Sequence, residues 1–150
     1  MSKNLWQSPT VVPEIVYDDV PAAIEFLTRA FGFRERVESR LTGNGSVRAW
    51  MELGDGLIAL STAGGHGRQS PRSTGAPTQS VKCYVDGIDR HFAQAKANGA
   101  TIISEPADKF WGGRNYEAKD LEGHHWVFSE RDRELAASQW KLPPGIKQGA

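Results

Sequence analysis

The sequence predicts an α+β domain made of two copies of one βαβββ unit. Residues 63–79 are rich in Gly, Ser, Thr and Pro, and similar strand and helix signals flank this stretch on both sides. Val12 and Ser80 are 68 residues apart and Gly32 and Gly99 are 67 apart, so a single one-residue slip aligns the halves. We therefore predict one domain over 1–150, with modules at about 9–62 and 80–131 and a linker at 63–79.

The first module begins with a β-prone run at 11–17. Asp18, Asp19 and Pro21 then supply the signals of a helix start, and Gly32 is suited to the left-handed position that ends a helix. Further strands are predicted at 33–41, 46–53 and 57–62, separated by glycine-containing turns.

The second module repeats this order. A strand at 80–85 precedes a helix with Ile88, Phe92 and Ala95 on one side, which closes at Asn98 and Gly99. Strands follow at 101–105, 114–119 and 125–130. Because one sheet and one helix cannot cover both faces of the sheet, we expect the modules to pair around a common core.

Composition excludes several classes of function. Among 150 residues, Lys+Arg and Asp+Glu balance at 18 each, so no basic excess is available for nucleic acid. The single cysteine, Cys83, cannot form an internal disulfide. Residues 1–10 lack the apolar stretch of a signal peptide and no window reaches the roughly 20 apolar residues of a membrane span. We expect a cytoplasmic protein without a membrane partner.

Two segments carry a family resemblance. VYDDVPAAIEFLTRAFGF (16–33) and GGRNYEAKDLEGHHWVFSE (112–130) resemble the first strand and helix and the closing hairpin of the glyoxalase/bleomycin-resistance (vicinal oxygen chelate) superfamily. The likeness covers 9 to about 131. It implies a cupped, barrel-like mixed sheet around a cavity, often in a homodimer, and a divalent metal acting as a Lewis acid on a substrate.

The residues that such a metal would need are missing. By the resemblance, a His is expected on the first strand of each module, at Val12 and Ser80, and a Glu on the last strand, at Leu60 and Val127. Carbon side chains cannot coordinate a cation, and a lone hydroxyl is a poor ligand. We therefore expect no cofactor. A divalent metal would need a non-standard site, for which Glu52 and His125 are the alternative ligands.

Alternation along the strands indicates which side chains face the cup. Glu14 and Lys82 align in the repeat and would point into it, for binding a charged ligand or, for Glu14, for acid/base catalysis. Trp50 would face the cup and stack on a planar ligand. For Glu14 and Lys82, a mutual ion pair or projection to solvent at a sheet edge is the simpler interpretation, and for Trp50 a packing role is an equal alternative.

The loop before residue 114 adds candidate ligand-binding residues. Trp111 would form a rim and Arg114 would bind a carboxylate or phosphate, with Tyr84 as a further lining residue. Arg114 could instead hold the hairpin together. Three histidines are not expected to bind a ligand. His124 is expected to have a structural role, and His66 and His91 to lie on the surface.

The sequence favours a small-molecule binding protein, as a homodimer and without the family metal. The alternative is a lyase, isomerase or dioxygenase-like enzyme of the same superfamily, either metal-free or with a divergent metal site. The tail at 135–150 is expected to pack on a neighbour or to hang free.

Overall fold

The computed structural model describes residues 7–149. Most of the 1–10 segment, and the last residue of the 135–150 tail, lie outside the described residues. Within the described part, no helix is both long enough and apolar enough to cross a bilayer.

The first module forms a five-stranded sheet with one helix. Its elements are β1 (Glu14–Tyr17), α1 (Val20–Phe31), β2 (Arg34–Glu35), β3 (Leu41–Gly43), β4 (Ser46–Leu53) and β5 (Gly56–Thr62). The strand order is β1-β5-β4-β2, with β3 also paired to β4, and only the β1–β5 pair is parallel.

Helix α1 begins and ends where the sequence predicts. The Asp19 side chain accepts a hydrogen bond from the backbone N–H of Ala22 (3.0 Å), Pro21 lies in the first turn, and Gly32 takes a left-handed conformation at φ 80°. These caps satisfy helix-end groups that would otherwise lack partners.

The continuous strand predicted at 33–41 is wrong. The segment contains the two-residue β2, a 3₁₀ turn at Val37–Ser39 and then β3. The even-numbered positions from 34 to 40 are all charged, and the odd-numbered ones are Glu35, Val37 and Ser39, so neither set gives an apolar row that can hold a continuous strand against the core.

The second module forms a four-stranded sheet with its own helix. Its elements are β6 (Ser80–Val85), α3 (Ile88–Ala97), β7 (Thr101–Asp108), β8 (Arg114–Lys119) and β9 (His125–Glu130), in the order β6-β9-β8-β7. Strand β7 extends beyond the predicted 101–105 and pairs irregularly with β8.

The linker is more ordered than its composition suggests. It contains the short helix α2 (Pro71–Thr74), which begins at Ser70. Ser70 is fully buried, and its hydroxyl donates to Glu122 Oε1 at 2.6 Å. Glu122 also accepts from the backbone N–H groups of Asp18 and Asp19 (2.7 and 2.9 Å), so one carboxylate joins the linker to the start of α1.

The modules share one core, where α1 contacts α3. Phe31, at the end of α1, packs on Phe128 and Trp126 of the second sheet, with ring centroids 4.7 and 5.5 Å apart. The α+β class and the two βαβββ modules are confirmed. The two sheets do not close into a full barrel.

His91 is not the surface residue that was predicted. Its Nε2–H donates to the carbonyl of Phe31 (2.9 Å), and its Nδ1 accepts from the hydroxyl of Tyr116 (2.6 Å). Burial lowers the pKa of His91, although the bond to Phe31 acts in the opposite direction. The residue is therefore an interior contact between modules, whereas His66 is exposed as expected.

The first part of the tail packs on a loop of the same chain and therefore does not hang free. The Leu135 N–H donates to the carbonyl of Trp111 (2.8 Å), and the Lys141 N–H to that of Phe110 (3.3 Å). The Trp140 ring lies 6.1 Å from that of Phe110.

Candidate functional site

Each sheet has one face that the helices do not cover, and strand alternation decides which side chains stand on it. In β4, Ala49 and Met51 are fully buried in the core while Trp50 projects from the opposite face. In β6, Lys82 and Tyr84 likewise point away from the core. The first open face carries Glu14, Arg48, Trp50, Glu52 and Ala59, and the second open face carries Lys82, Tyr84, Glu117, His125 and Ser129.

Glu14 lies on the first open face between two arginines. Its carboxylate is 2.6 Å from Arg48 Nη2 and 3.6 Å from Arg68 Nη1, and the Arg48 guanidinium lies 5.2 Å from the Trp50 ring centroid. The hydrogen bond and charge of Arg48 lower the pKa of Glu14. A carboxylate held ionised in this way is a weak proton acceptor, which counts against a role as general base.

Lys82 forms the centre of a cluster on the second open face. Its ammonium lies 2.9 Å from Glu134 Oε1, 5.1 Å from the Tyr84 ring centroid and 5.8 Å from the Trp111 ring centroid. The Tyr84 hydroxyl donates to Glu134 Oε2 at 3.1 Å. Partial burial alone would lower the pKa of Lys82, but the bonds to Glu134 and Tyr84 outweigh it and raise that pKa. We call Lys82, Tyr84, Trp111 and Glu134 the Lys82 cluster.

A groove adjoins this cluster at the seam between the modules. Its volume is about 220 Å³, and Lys82 and Tyr84 form part of its wall. Much of the remaining wall is apolar and includes Val11, Phe33 and Leu53. The groove thus combines a largely apolar wall with a few charged side chains, Lys82, Arg131 and Asp55, a combination typical of small-molecule sites.

The predicted site residues do not all come together. Lys82, Tyr84 and Trp111 form the cluster, whereas Glu14 and Trp50 lie on the other sheet. Glu14 and Lys82 do not pair with each other, because their ion pairs go to Arg48, Arg68 and Glu134.

Arg114 stands on the helix side of β8. It bonds Asp89 of α3 (2.8 Å) and Asp108 (3.1 Å), and these bonds raise its pKa. It is therefore not part of either open face, and its contacts are those of a residue that holds β7, β8 and α3 together.

Glu134 is the cluster member that sequence reasoning missed. It lies outside both predicted modules, in a polar stretch without periodicity, so nothing in the repeat marks it. Only the fold of the tail over the loop at 110–113 brings it to Lys82, 52 residues away in the chain.

Comparison with known proteins decides the family. A model of the Glyoxalase/Bleomycin resistance protein/Dioxygenase superfamily matches residues 10–128. The chain belongs to this superfamily. The Mycobacterium bovis protein Mb0911c, which is uncharacterized, is 27% identical over 132 residues, which is 85% of this chain and 86% of that protein.

Solved structures of the superfamily share the fold. TioX from Micromonospora sp. ML1 is 31% identical with a TM-score of 0.65, covering 85% of this chain and 100% of that one. A glyoxalase/bleomycin resistance protein/dioxygenase family enzyme from Burkholderia phytofirmans PsJN is 18% identical with a TM-score of 0.63, covering 78% of this chain and 94% of that one.

The strand register corrects one of the expected metal positions of the superfamily. Lys82 pairs with Val127, and its repeat equivalent Glu14 pairs with Ala59, so Ala59 rather than Leu60 corresponds to Val127. Leu60 is fully buried on the core side. The corrected set of Val12, Ala59, Ser80 and Val127 offers one hydroxyl oxygen and no imidazole or carboxylate, which does not fit a divalent ion.

The alternative ligands Glu52 and His125 stand on different sheets. Glu52 is bound by Arg34 and Arg36, and the His125 Nε2–H donates to Glu117 at 2.8 Å. Among residues 7–149, no three His, Cys, Asp or Glu side chains are grouped as metal ligands would be. Cys83 lies near the groove, and burial raises the pKa of its thiol to about 12, which leaves it unreactive near neutral pH.

Proposed function

We propose that the protein binds a small planar molecule in the groove beside the Lys82 cluster, without the superfamily metal and without catalysing a reaction. The observation that carries this proposal is the apolar groove of about 220 Å³ with Lys82 and Tyr84 in its wall. The Trp111 ring beside Lys82 offers a further flat surface for stacking.

The size of the groove limits the ligand. Ligand pockets generally span about 300–1,000 Å³, so about 220 Å³ suits a body of one or two fused rings. An aromatic body would gain mainly from burial against Val11, Phe33 and Leu53, and from contact with the Tyr84 ring.

A ligand-binding screen tests the proposal. Planar aromatic compounds of neutral, anionic and cationic type are titrated into the protein while tryptophan fluorescence is recorded. At least one class should quench the fluorescence saturably, and Tyr84→Ala should weaken its binding about tenfold by removing a wall of the groove. Val37→Ala, an exposed apolar residue outside the groove, is the matched control and should bind normally. Absence of saturable binding by the folded protein would refute the proposal.

We propose that two copies associate through their open faces, since each face leaves apolar side chains exposed, Leu41 at 61% and Tyr84 at 39%. A second copy would cover these groups and enclose the groove more fully.

The enzyme alternatives have weaker support. A lyase or isomerase with Glu14 as base conflicts with the lowered pKa of that carboxylate. A dioxygenase-like reaction would need a metal, and elemental analysis of protein purified without chelators tests for one. We expect far less than one ion of Zn, Ni, Mn or Fe per chain, and a stoichiometric amount would overturn the metal-free proposal.

A further inference from the structure

The Lys82 cluster already holds a carboxylate, and it is supplied by the protein's own tail. Glu134 places one oxygen 2.9 Å from Lys82 Nζ and the other 3.1 Å from the Tyr84 hydroxyl. Both oxygens are therefore bound by side chains of β6, next to the aromatic rings of Tyr84 and Trp111. This is how a protein would hold the carboxylate of a ligand.

Two buried polar groups, one within the Lys82 cluster and one on the strand opposite Tyr84, lack partners in the described structure. Trp111 Nε1 and Ser129 Oγ are both buried and make no hydrogen bond. Ser129 is fully buried directly opposite Tyr84 on the neighbouring strand. A Cβ on Gly113 would lie 2.6 Å from Trp111 Nε1 and 3.3 Å from Glu134 Cγ, so the indole N–H lies close to the Glu134 arm without bonding it.

Unpaired buried donors are costly and rare, and they call for a partner. The two Glu134 oxygens bond only Lys82 and Tyr84, although a carboxylate can accept about four hydrogen bonds, and the backbone bond from Leu135 to Trp111 sets the position of this side chain. A free carboxylate entering from the groove has no such tether. Its position is free to adjust to Lys82, Tyr84, Ser129 and Trp111.

We propose that the ligand is a small planar aromatic carboxylate whose carboxylate replaces that of Glu134 on Lys82 and Tyr84, while its ring lies in the apolar groove. This inference rests on the proposed binding function and adds the ligand class. Glu134 is then an internal competitor that occupies the site until the ligand displaces it.

Matched probes and variants test this inference. 2-Naphthoate and 2-naphthamide have nearly the same shape and differ in charge, and their affinities are measured by calorimetry at pH 7.5. We expect the acid to bind at least about tenfold more tightly than the amide. Glu134→Gln should strengthen binding of the acid about tenfold and leave the amide within about twofold, because it removes the competing charge. Lys82→Met should remove the preference for the acid.

Glu25→Gln is the control for net charge, since Glu25 is exposed on α1 and pairs only with Arg29 among the described contacts. It should change neither affinity. Equal binding of acid and amide to both the unaltered protein and Glu134→Gln would overturn the carboxylate inference but leave the proposed function standing. A preference for the acid that Glu134→Gln does not alter would overturn displacement. Failure of both probes to bind either protein would count against the proposed function itself.

Discussion

Asp120 is a buried carboxylate that joins the two modules. Its side chain accepts from the Tyr17 hydroxyl (2.6 Å), the Trp126 Nε1–H (3.0 Å) and the backbone N–H of Glu122 (3.0 Å). Burial and the Asp120 charge raise the pKa of Tyr17 well above its usual value. Tyr17 belongs to the first module and Trp126 to the second, so one carboxylate serves both.

Asp120→Ala should therefore be strongly destabilising. It leaves two fully buried donors, on Tyr17 and Trp126, without an acceptor, and each such loss costs about 1–3 kcal/mol. We expect the free energy of unfolding, measured by urea denaturation, to fall by about 3 kcal/mol or more. Asp86→Ala is the control, because the Asp86 side chain is 86% exposed and should change stability by less than about 0.5 kcal/mol. Similar losses in both variants would contradict the assigned role.

His91 predicts a pH dependence of stability. Its pKa is lowered by burial in the folded state, so between its unfolded and folded pKa values the unfolded chain binds more protons. Stability is then complete above the unfolded pKa, about 6.5, and falls as the pH drops below it. The unaltered protein should lose more unfolding free energy between pH 7.5 and 5.5 than His91→Gln does. An equal loss in the two proteins would show that His91 is not responsible.

Residues differ in how far the sequence could place them. Alternation along β6 predicted that Lys82 points away from the core, and it does so because side chains along a strand alternate with a two-residue period. Counting residues from the preceding turn placed the expected metal-ligand position of the last strand on Leu60, whereas the strand register places that position on Ala59. Glu134 and His91 depend on contacts with distant parts of the chain, which no local pattern encodes.

Helices and strands that are bounded by clear cap or turn residues in the sequence were predicted correctly. Strands β4, β6, β8 and β9 have the predicted bounds, and α1 has the expected caps. The strand predicted at 33–41 was wrong because the charged residues there give no alternating apolar pattern. Pairing with β4 decides the conformation of this segment instead. The linker is rich in Gly, Ser and Pro and has no periodicity, yet it contains the helix α2, because Glu122 of the second module bonds Ser70 at the start of that helix.

The bond between Ser70 and Glu122 should hold the linker in place. Ser70→Ala removes the bond to Glu122 and the cap on the N–H of Arg72 (3.2 Å), and should lower the free energy of unfolding by about 1–3 kcal/mol. Ser73→Ala, an exposed change one turn further on, should lower it by less than about 0.5 kcal/mol. Limited proteolysis should also cut the linker faster in Ser70→Ala. If the two variants behaved alike, the linker would not be anchored through Ser70.

In the molecule as a whole, the helices of the two modules pack against each other, and neither helix covers an open face, although Glu134 of the tail lies on part of the second. The helix side of each sheet is closed by the shared core of α1 and α3. Exposed apolar groups remain on both sheets, including Leu41 on the first open face and Ile103 at an irregularity in the edge strand β7, at 61% and 46%. Repeat and resemblance were sufficient to predict two paired modules, but not that the sheets would remain separate.

These exposed groups lead to a prediction about association. If two copies meet through their open faces, sedimentation equilibrium should give a mass about twice the 16.5 kDa of the chain. A buried carboxylate without a partner at such an interface is costly, so Leu41→Glu and Ile103→Glu should each shift the equilibrium toward monomer. Ile146→Glu introduces the same charge at a 55% exposed position in the tail and should leave the dimer intact. A monomer mass for the unaltered protein at about 100 μM would contradict association through the open faces, and each groove would then be complete within one chain.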